Sequence, residues 1–285
     1  MNPFPDHHPF APLRRAWRTP GLVPGFELIN ILGSGGQGIV FKARRISVGR
    51  TYAVKFLYPT DIPGSCMTNE LRHLDVLADL HHPHLVPIHD VGEAIGFPYI
   101  VMDDAGDRTL RDVMSDRTHT LAECIRPLDE TADGLSYLHA RGILHLDLKP
   151  TNVFIRDGHA SLGDFDLSRV QESSCSLLLT RPVGTLSYVA PEVVSRGWAS
   201  TAADVYALGR ILAEVVDLRP GSALTQRLRS LMARAICERP DGRPTLDELR
   251  GCLAPAQLAG SARSDPIAPE TMRWLLGRRR HDADA

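Results

Sequence analysis

The order of apolar and polar positions divides the chain in two. From Phe26 to about Met102 the apolar residues come in short extended runs. "FELINIL" and "GIVFKA" flank a group of glycines, "TYAVKFL" follows, and "YIVMD" closes the segment. Rich in β-branched and aromatic residues, these runs predict strands. One helix interrupts them: Leu71, Leu74, Leu77 and Leu80 recur at near-helical spacing, and the run stops before Pro83. After Gly106 the period changes. Leu121, Ile125, Leu128, Ala132, Leu135 and Leu138 mark one helix face, with Thr120 and Glu123 able to form a capping box at its start. "ADVYALGRILAEVVD" is apolar on most sides, which predicts a buried helix. "LTQRLRSLMARAIC" and "TLDELRGCL" predict two more. The pattern is α+β and bilobal. A small sheet-rich lobe with one main helix (about 25–102) joins a larger, mostly helical lobe (about 107–253) through about 103–106.

Residues 1–24 are broken by prolines and are expected to form a flexible arm; residues 254–285 are expected to be a tail carrying the basic segment "RRR" at 278–280.

Composition narrows the classes. Of 285 residues, 43% are apolar, enough to bury a sizeable core. A net charge of −2 gives no global pull towards nucleic acid or anionic lipid, so neither is expected as a partner. No run approaches the ~20 consecutive apolar residues of a membrane span, and the N-terminus lacks the apolar stretch of a signal peptide. The five cysteines are scattered without a C-x-x-C pair, which fits a reducing, cytoplasmic setting. His7, His8, His81, His82 and His84 read as surface or turn residues rather than a metal site.

The candidate chemistry lies in three stretches. "LGSGGQGIV" carries G-x-G-x-x-G at Gly33, Gly35 and Gly38. A dinucleotide site needs a helix after this motif, whereas Ile39, Val40 and Phe41 continue as a strand. A hairpin tip covering phosphates fits better, with a mobile tip of no further role as the plain alternative. Lys55 in "YAVKFL" sits among apolar residues, where its charge needs an anion. "LHLDLKPTNVFI" places Asp147, Lys149 and Asn152 in one loop, with Asp164 twelve residues after Asn152. That set offers a base, a charge-neutralising lysine and two hard oxygen ligands suited to Mg²⁺.

In this order the motifs resemble those of eukaryotic-type protein kinases of the Ser/Thr kind also found in bacteria, over about residues 26–252. The resemblance implies an ATP-dependent enzyme acting on protein substrates, with Mg²⁺ (or Mn²⁺) as cofactor. By it, Asp147 orients the substrate hydroxyl and Lys149 supports the γ-phosphate, while Asn152 and Asp164 hold the metal. Leu32, Gly33, Ser34, Gly35, Gly36, Gln37, Gly38 and Val40 cover the nucleotide. Lys55 holds its α/β-phosphates, Ala53 lies over the adenine, Met102 is the gatekeeper, and Asp103 and Ala105 belong to the hinge. Thr185 and Glu192 fall in the substrate-facing "GTLSYVAPE" element, Arg243 pairs with Glu192, and Asp204 braces the catalytic loop.

The chain departs from the family at four places. Leu146 replaces the arginine before the catalytic aspartate, which removes a clamp for a phosphorylated activation loop. Activity is therefore expected not to depend strictly on phosphorylation of Ser173, Ser174, Ser176 or Thr180. The helical glutamate for Lys55 falls out of register: His73 takes its slot, and Glu70 is the expected partner, Asp75 the second choice. The region after "ILAEVVD" is short, with little room for a docking helix. Asp166 replaces the glycine after Phe165 in the metal-binding motif. A nucleotide-binding scaffold without catalysis is the alternative reading, and a small-molecule phosphotransferase a third; a regulatory protein is expected as a partner beside the substrates.

Overall fold

The computed structural model describes residues 11–35, 38–57, 76–165, 168–170, 177–178, 186–219 and 226–253. The apolar runs of the first segment form a five-stranded antiparallel sheet in the order β1-β2-β3-β5-β4. Its strands are β1 (Phe26–Gly35), β2 (Gly38–Arg45), β3 (Thr51–Leu57), β4 (Ile88–Ala94) and β5 (Phe97–Asp103). The edge strand β4 is the one that the apolar pattern does not predict.

Alternation gives the sheet two different faces. Ile39, Phe41, Ala43, Tyr52, Val54, Phe56, Tyr99 and Val101 pack into one core on the outer side. Val40, Lys42, Ala53 and Lys55 are the alternate residues of β2 and β3 and face the other way. On that inner side Ile100 and Ile88 join the core of the second lobe, with Met102 packed against it.

The expected loose arm over residues 1–24 needs correcting in its described part. Ala11–Ala16 is a helix (α1), and Leu13 and Val23 are buried in the outer core. The Trp17 ring lies 5.6 Å from that of Phe41. The outer face of the sheet is apolar and needs a cover, and α1 supplies part of it.

The second lobe is built on α3 (Leu121–His139) and α5 (Thr201–Asp217). Thr120 and Glu123 form the capping box, the Glu123 N–H donating to Thr120 Oγ1 at 3.3 Å. The helix α5 is buried along most of its length, as its all-round apolar pattern requires. A short helix, α2 (Leu110–Ser115), precedes α3, and α4 (Pro191–Arg196) precedes α5. The helices α6 (Gln226–Ala235) and α7 (Leu246–Leu253) follow. Of the expected helix before Pro83, Leu77 and Leu80 are buried, while Leu71 and Leu74 lie outside the described residues. Among the described residues, no helix is long and apolar enough to cross a membrane.

Candidate active site

After the two-residue strand β6 (Ile143–Leu144), a two-strand hairpin, Val153–Arg156 (β7) with His159–Leu162 (β8), places the site's polar residues. Asn152 stands at the entrance of the hairpin, and Gly163 and Asp164 at its exit. The Gly163 N–H donates to the Asn152 carbonyl at 2.9 Å. Two candidate metal ligands twelve residues apart are thereby brought side by side.

Asp147 and Asn152 are fixed within their loop. The Asn152 amide donates to the Asp147 carbonyl at 2.9 Å and to Asp147 Oδ2 at 3.2 Å. Lys149 Nζ donates to the same Oδ2 at 2.7 Å. With its nitrogen committed to Asp147, Asn152 offers its amide oxygen as the hard donor.

From the inner face of the sheet, the Lys55 ammonium hydrogen-bonds to Asp164 Oδ1. Burial alone would raise the Asp164 pKa. The adjacent Lys55 charge and hydrogen bond, with smaller contributions from Lys149 and His145, hold it below the usual carboxylate range. Asp164 is thus an anion near neutral pH. A lysine, a carboxylate and an amide oxygen at one end of a cleft suit a polyphosphate with its divalent cation.

Two non-glycine residues of this region, Leu146 (φ 62°) and Asp164 (φ 66°), adopt left-handed backbone. Such conformations cost on the order of 1–3 kcal/mol and persist where neighbours impose them. At Leu146 the imposing group is Asp204, buried in α5. Its carboxylate accepts the N–H groups of His145 and Leu146 and pairs with His139 Nε2 at 2.8 Å. Burial raises the Asp204 pKa, but the His139 hydrogen bond and the surrounding His139, His145 and backbone donors outweigh it and leave the pKa lowered.

Lower down, Arg243 grips Glu192 through both nitrogens at 2.6 and 2.7 Å. It also donates to the carbonyls of Ala202, Cys237 and Glu238. This fastens α4 to the segment before α7.

Among the residues expected to cover a nucleotide, Gly33 to Gly35 end β1, and Gly38 and Val40 begin β2. Gly36 and Gln37 lie outside the described residues. Leu32 is exposed, while Ala53 is buried in register with Met102. The Asp103 carboxylate is turned to the outer side of the hinge, where Arg50 and His89 hold it. Ala105 follows in the hinge. Glu70, His73, Asp75, Asp166, Thr185 and the four candidate phosphorylation sites also lie outside the described residues.

Sequence reading missed two groups. His145 Nε2 donates to the Gly163 carbonyl at 3.1 Å while Nδ1 accepts the Asp147 N–H at 3.3 Å, a set that one neutral tautomer satisfies. Its ring meets Phe165 edge-on at 5.5 Å. The imidazole ties the catalytic loop to the Asp164 motif, and its place two residues before Asp147 was the available signal. The second group joins α2, Tyr188 of the "GTLSYVAPE" stretch and α5. Arg111 donates to Glu214 at 2.5 Å and to Tyr188 at 2.6 Å, and Tyr188 donates to Glu214 at 2.8 Å. Burial and the bond to Glu214 push the Tyr188 pKa up to about 12.

Comparison with known proteins agrees with this geometry. The family model described as "Protein kinase domain" matches residues 26–221. The chain is 30% identical over 190 residues to the probable serine/threonine-protein kinase pknA2 of Bifidobacterium longum, covering 65% of this chain and 25% of that protein. It is 34% identical over 210 residues to the serine/threonine-protein kinase PknB of Mycobacterium leprae, covering 70% and 34%. It is 29% identical over 268 residues to the interferon-induced, double-stranded RNA-activated protein kinase of mouse, covering 80% and 50%. The chain thus spans about a quarter to a half of the length of these relatives. With this match over most of the sheet lobe and the catalytic loop, the chain belongs to the protein kinase family.

Proposed function

We propose that the chain is an ATP- and Mg²⁺-dependent serine/threonine protein kinase that transfers the γ-phosphate of ATP to hydroxyls of proteins, its own included. The observation that carries this reading is the convergence of Lys55, Asp164, Asn152, Asp147 and Lys149 on one end of the cleft. Asp147 accepts the hydroxyl proton as the substrate oxygen bonds to phosphorus and the bond to the ADP oxygen breaks. Lys149, held at the Asp147 carboxylate, offsets charge on the moving phosphoryl group. Lys55 exchanges part of its contact with Asp164 for phosphate oxygens. Asn152 and Asp164 hold the cation, which neutralises phosphate charge when bound; Mn²⁺ suits the same donors. A cytoplasmic setting, protein partners rather than nucleic acid, and control by a regulatory protein complete the reading.

The test is transfer of label from γ-labelled ATP to a generic basic protein, comparing wild type with Asp147→Ala. Label from wild type alone supports the kinase. Nucleotide binding with no transfer from either protein would favour the scaffold.

A further inference from the structure

The inner face of the sheet carries two lysines, and only Lys55 has a place in the phosphoryl chemistry. Lys42 lies on the same face of β2 as Val40 and pairs in register with Ala53, which pairs with Met102. Two residues along a strand is about 7 Å, so Lys42 sits one such step from the Val40–Lys55 row. It lies towards the hinge. The two lysines differ in depth: the Lys55 side chain is 9% exposed, and that of Lys42 is 38% exposed. Lys55 marks the interior of the cleft and Lys42 its mouth.

At that mouth Lys42 Nζ lies 3.2 Å from Asp104 Oδ2. Asp104 is the first residue after β5, and its backbone carbonyl accepts a hydrogen bond from Arg156 of β7 at 3.3 Å. One residue is therefore tied to the roof of the cleft by its carboxylate and to the lower lobe by its carbonyl. Asp103 differs, since Arg50 and His89, which hold its carboxylate, both belong to the upper lobe. The hinge backbone around Asp104 is anchored above by that grip. It is anchored below by the Ile155 N–H donating to the Arg108 carbonyl at 2.9 Å. Lys42, Asp104 and Arg156 thus form a chain of contacts from the roof through the hinge to the lower lobe.

We propose that Lys42 and Asp104 form an ionic latch across the mouth of the nucleotide cleft, which slows nucleotide release and makes it depend on salt. The inference rests on the cleft being the ATP site. Partial exposure sets the scale, because pairs of this kind contribute modestly and are screened by salt. The upper part of their range corresponds to a release rate changed about two- to fivefold.

The experiment is stopped-flow release of a fluorescent N-methylanthraniloyl ADP, chased by unlabelled ADP, from the full chain. Lys42→Met keeps the apolar stem and Asp104→Asn keeps the shape, so each removes one charge. Each is expected to release nucleotide about two- to fivefold faster than wild type at low salt, with no further gain in the double variant. Raising salt should speed wild type more than the variants and close the gap between them. The swapped pair, Lys42→Asp with Asp104→Lys, should return the rate towards wild type. Single variants indistinguishable from wild type, or additive effects in the double variant, would overturn the latch while leaving the ATP site intact. Wild type that binds no nucleotide would overturn both.

Discussion

The carboxylate of Asp204 accepts the backbone N–H of His145 at 3.0 Å and that of Leu146 at 2.9 Å. One buried side chain of α5 thereby shapes the turn that presents Asp147. The folded pKa of Asp204 lies below its ordinary value of 3.8. A depressed carboxylate contributes stability that is complete above the unfolded pKa and is lost as pH falls through the folded one. Asp204→Asn removes this titration and leaves a backbone N–H facing an amide. The variant should lose about 1–3 kcal/mol at neutral pH and show a shallower decline than wild type below about pH 4. Urea unfolding at a series of pH values measures both, and parallel declines would contradict the assignment.

Two arginine–glutamate pairs in this chain share a closest approach of 2.6 Å and differ in burial. Arg243–Glu192 is almost fully enclosed, whereas Arg44–Glu27 is more than half exposed on both sides. Lysine cannot reproduce the two-point grip or the three further carbonyl bonds of Arg243. Arg243→Lys should cost about 3 kcal/mol and Arg44→Lys less than about 1 kcal/mol. Equal shifts in the urea midpoints of the two variants would show that enclosure is not what counts here.

Gly209 marks the crossing of α5 and α6. A methyl group there would stand 2.6 Å from the Ala235 Cβ and 3.1 Å from Ile236 Cγ2. Gly33, by contrast, has open space around it. Gly209→Ala should destabilise by about 1–3 kcal/mol and Gly33→Ala by no more than about 0.5 kcal/mol. Thermal melts of the two variants settle the comparison.

Leu146 is buried with Leu144, Ala190, Val193, Ala199, Ala203, Tyr206 and Ile236. Leu146 brings an apolar side chain, not a cation, to this cluster. Leu177 and Leu178 pair antiparallel with Ala199 and Trp198, a backbone anchor for the segment that needs no phosphate. Replacing Ser173, Ser174, Ser176 and Thr180 together by alanine should leave roughly half or more of the activity. A drop of tenfold or greater in kcat/KM would tie the enzyme to loop phosphorylation after all.

The two-lobe division and four of the five main strands were legible because their apolar residues are dense and β-branched. The edge strand β4 escaped because "IHDVGEA" carries Asp, Gly and Glu, which strands generally avoid. Its Gly92 is there for the Tyr99 ring, whose hydroxyl would lie 2.5 Å from an added Cβ. The six-residue helices α1 and α2 are too short for a period to show. Of the candidate site, Lys55, Asp147, Asn152 and Asp164 stand out from order and spacing, and the fold brings them together. The bridge from His145 to Gly163 was not, because it spans eighteen residues and depends on a hairpin closing between them. The Arg111–Tyr188–Glu214 group and the Lys42–Asp104 pair likewise join positions that only the fold makes neighbours.

The central claim is that these residues move a phosphoryl group from ATP to serine or threonine. Acid hydrolysis of a protein substrate labelled from γ-labelled ATP, followed by separation of the phosphoamino acids, tests it most directly. Wild type should yield labelled phosphoserine or phosphothreonine, and Asp147→Ala none. Label confined to phosphotyrosine, or equal label from the two proteins, would contradict the account.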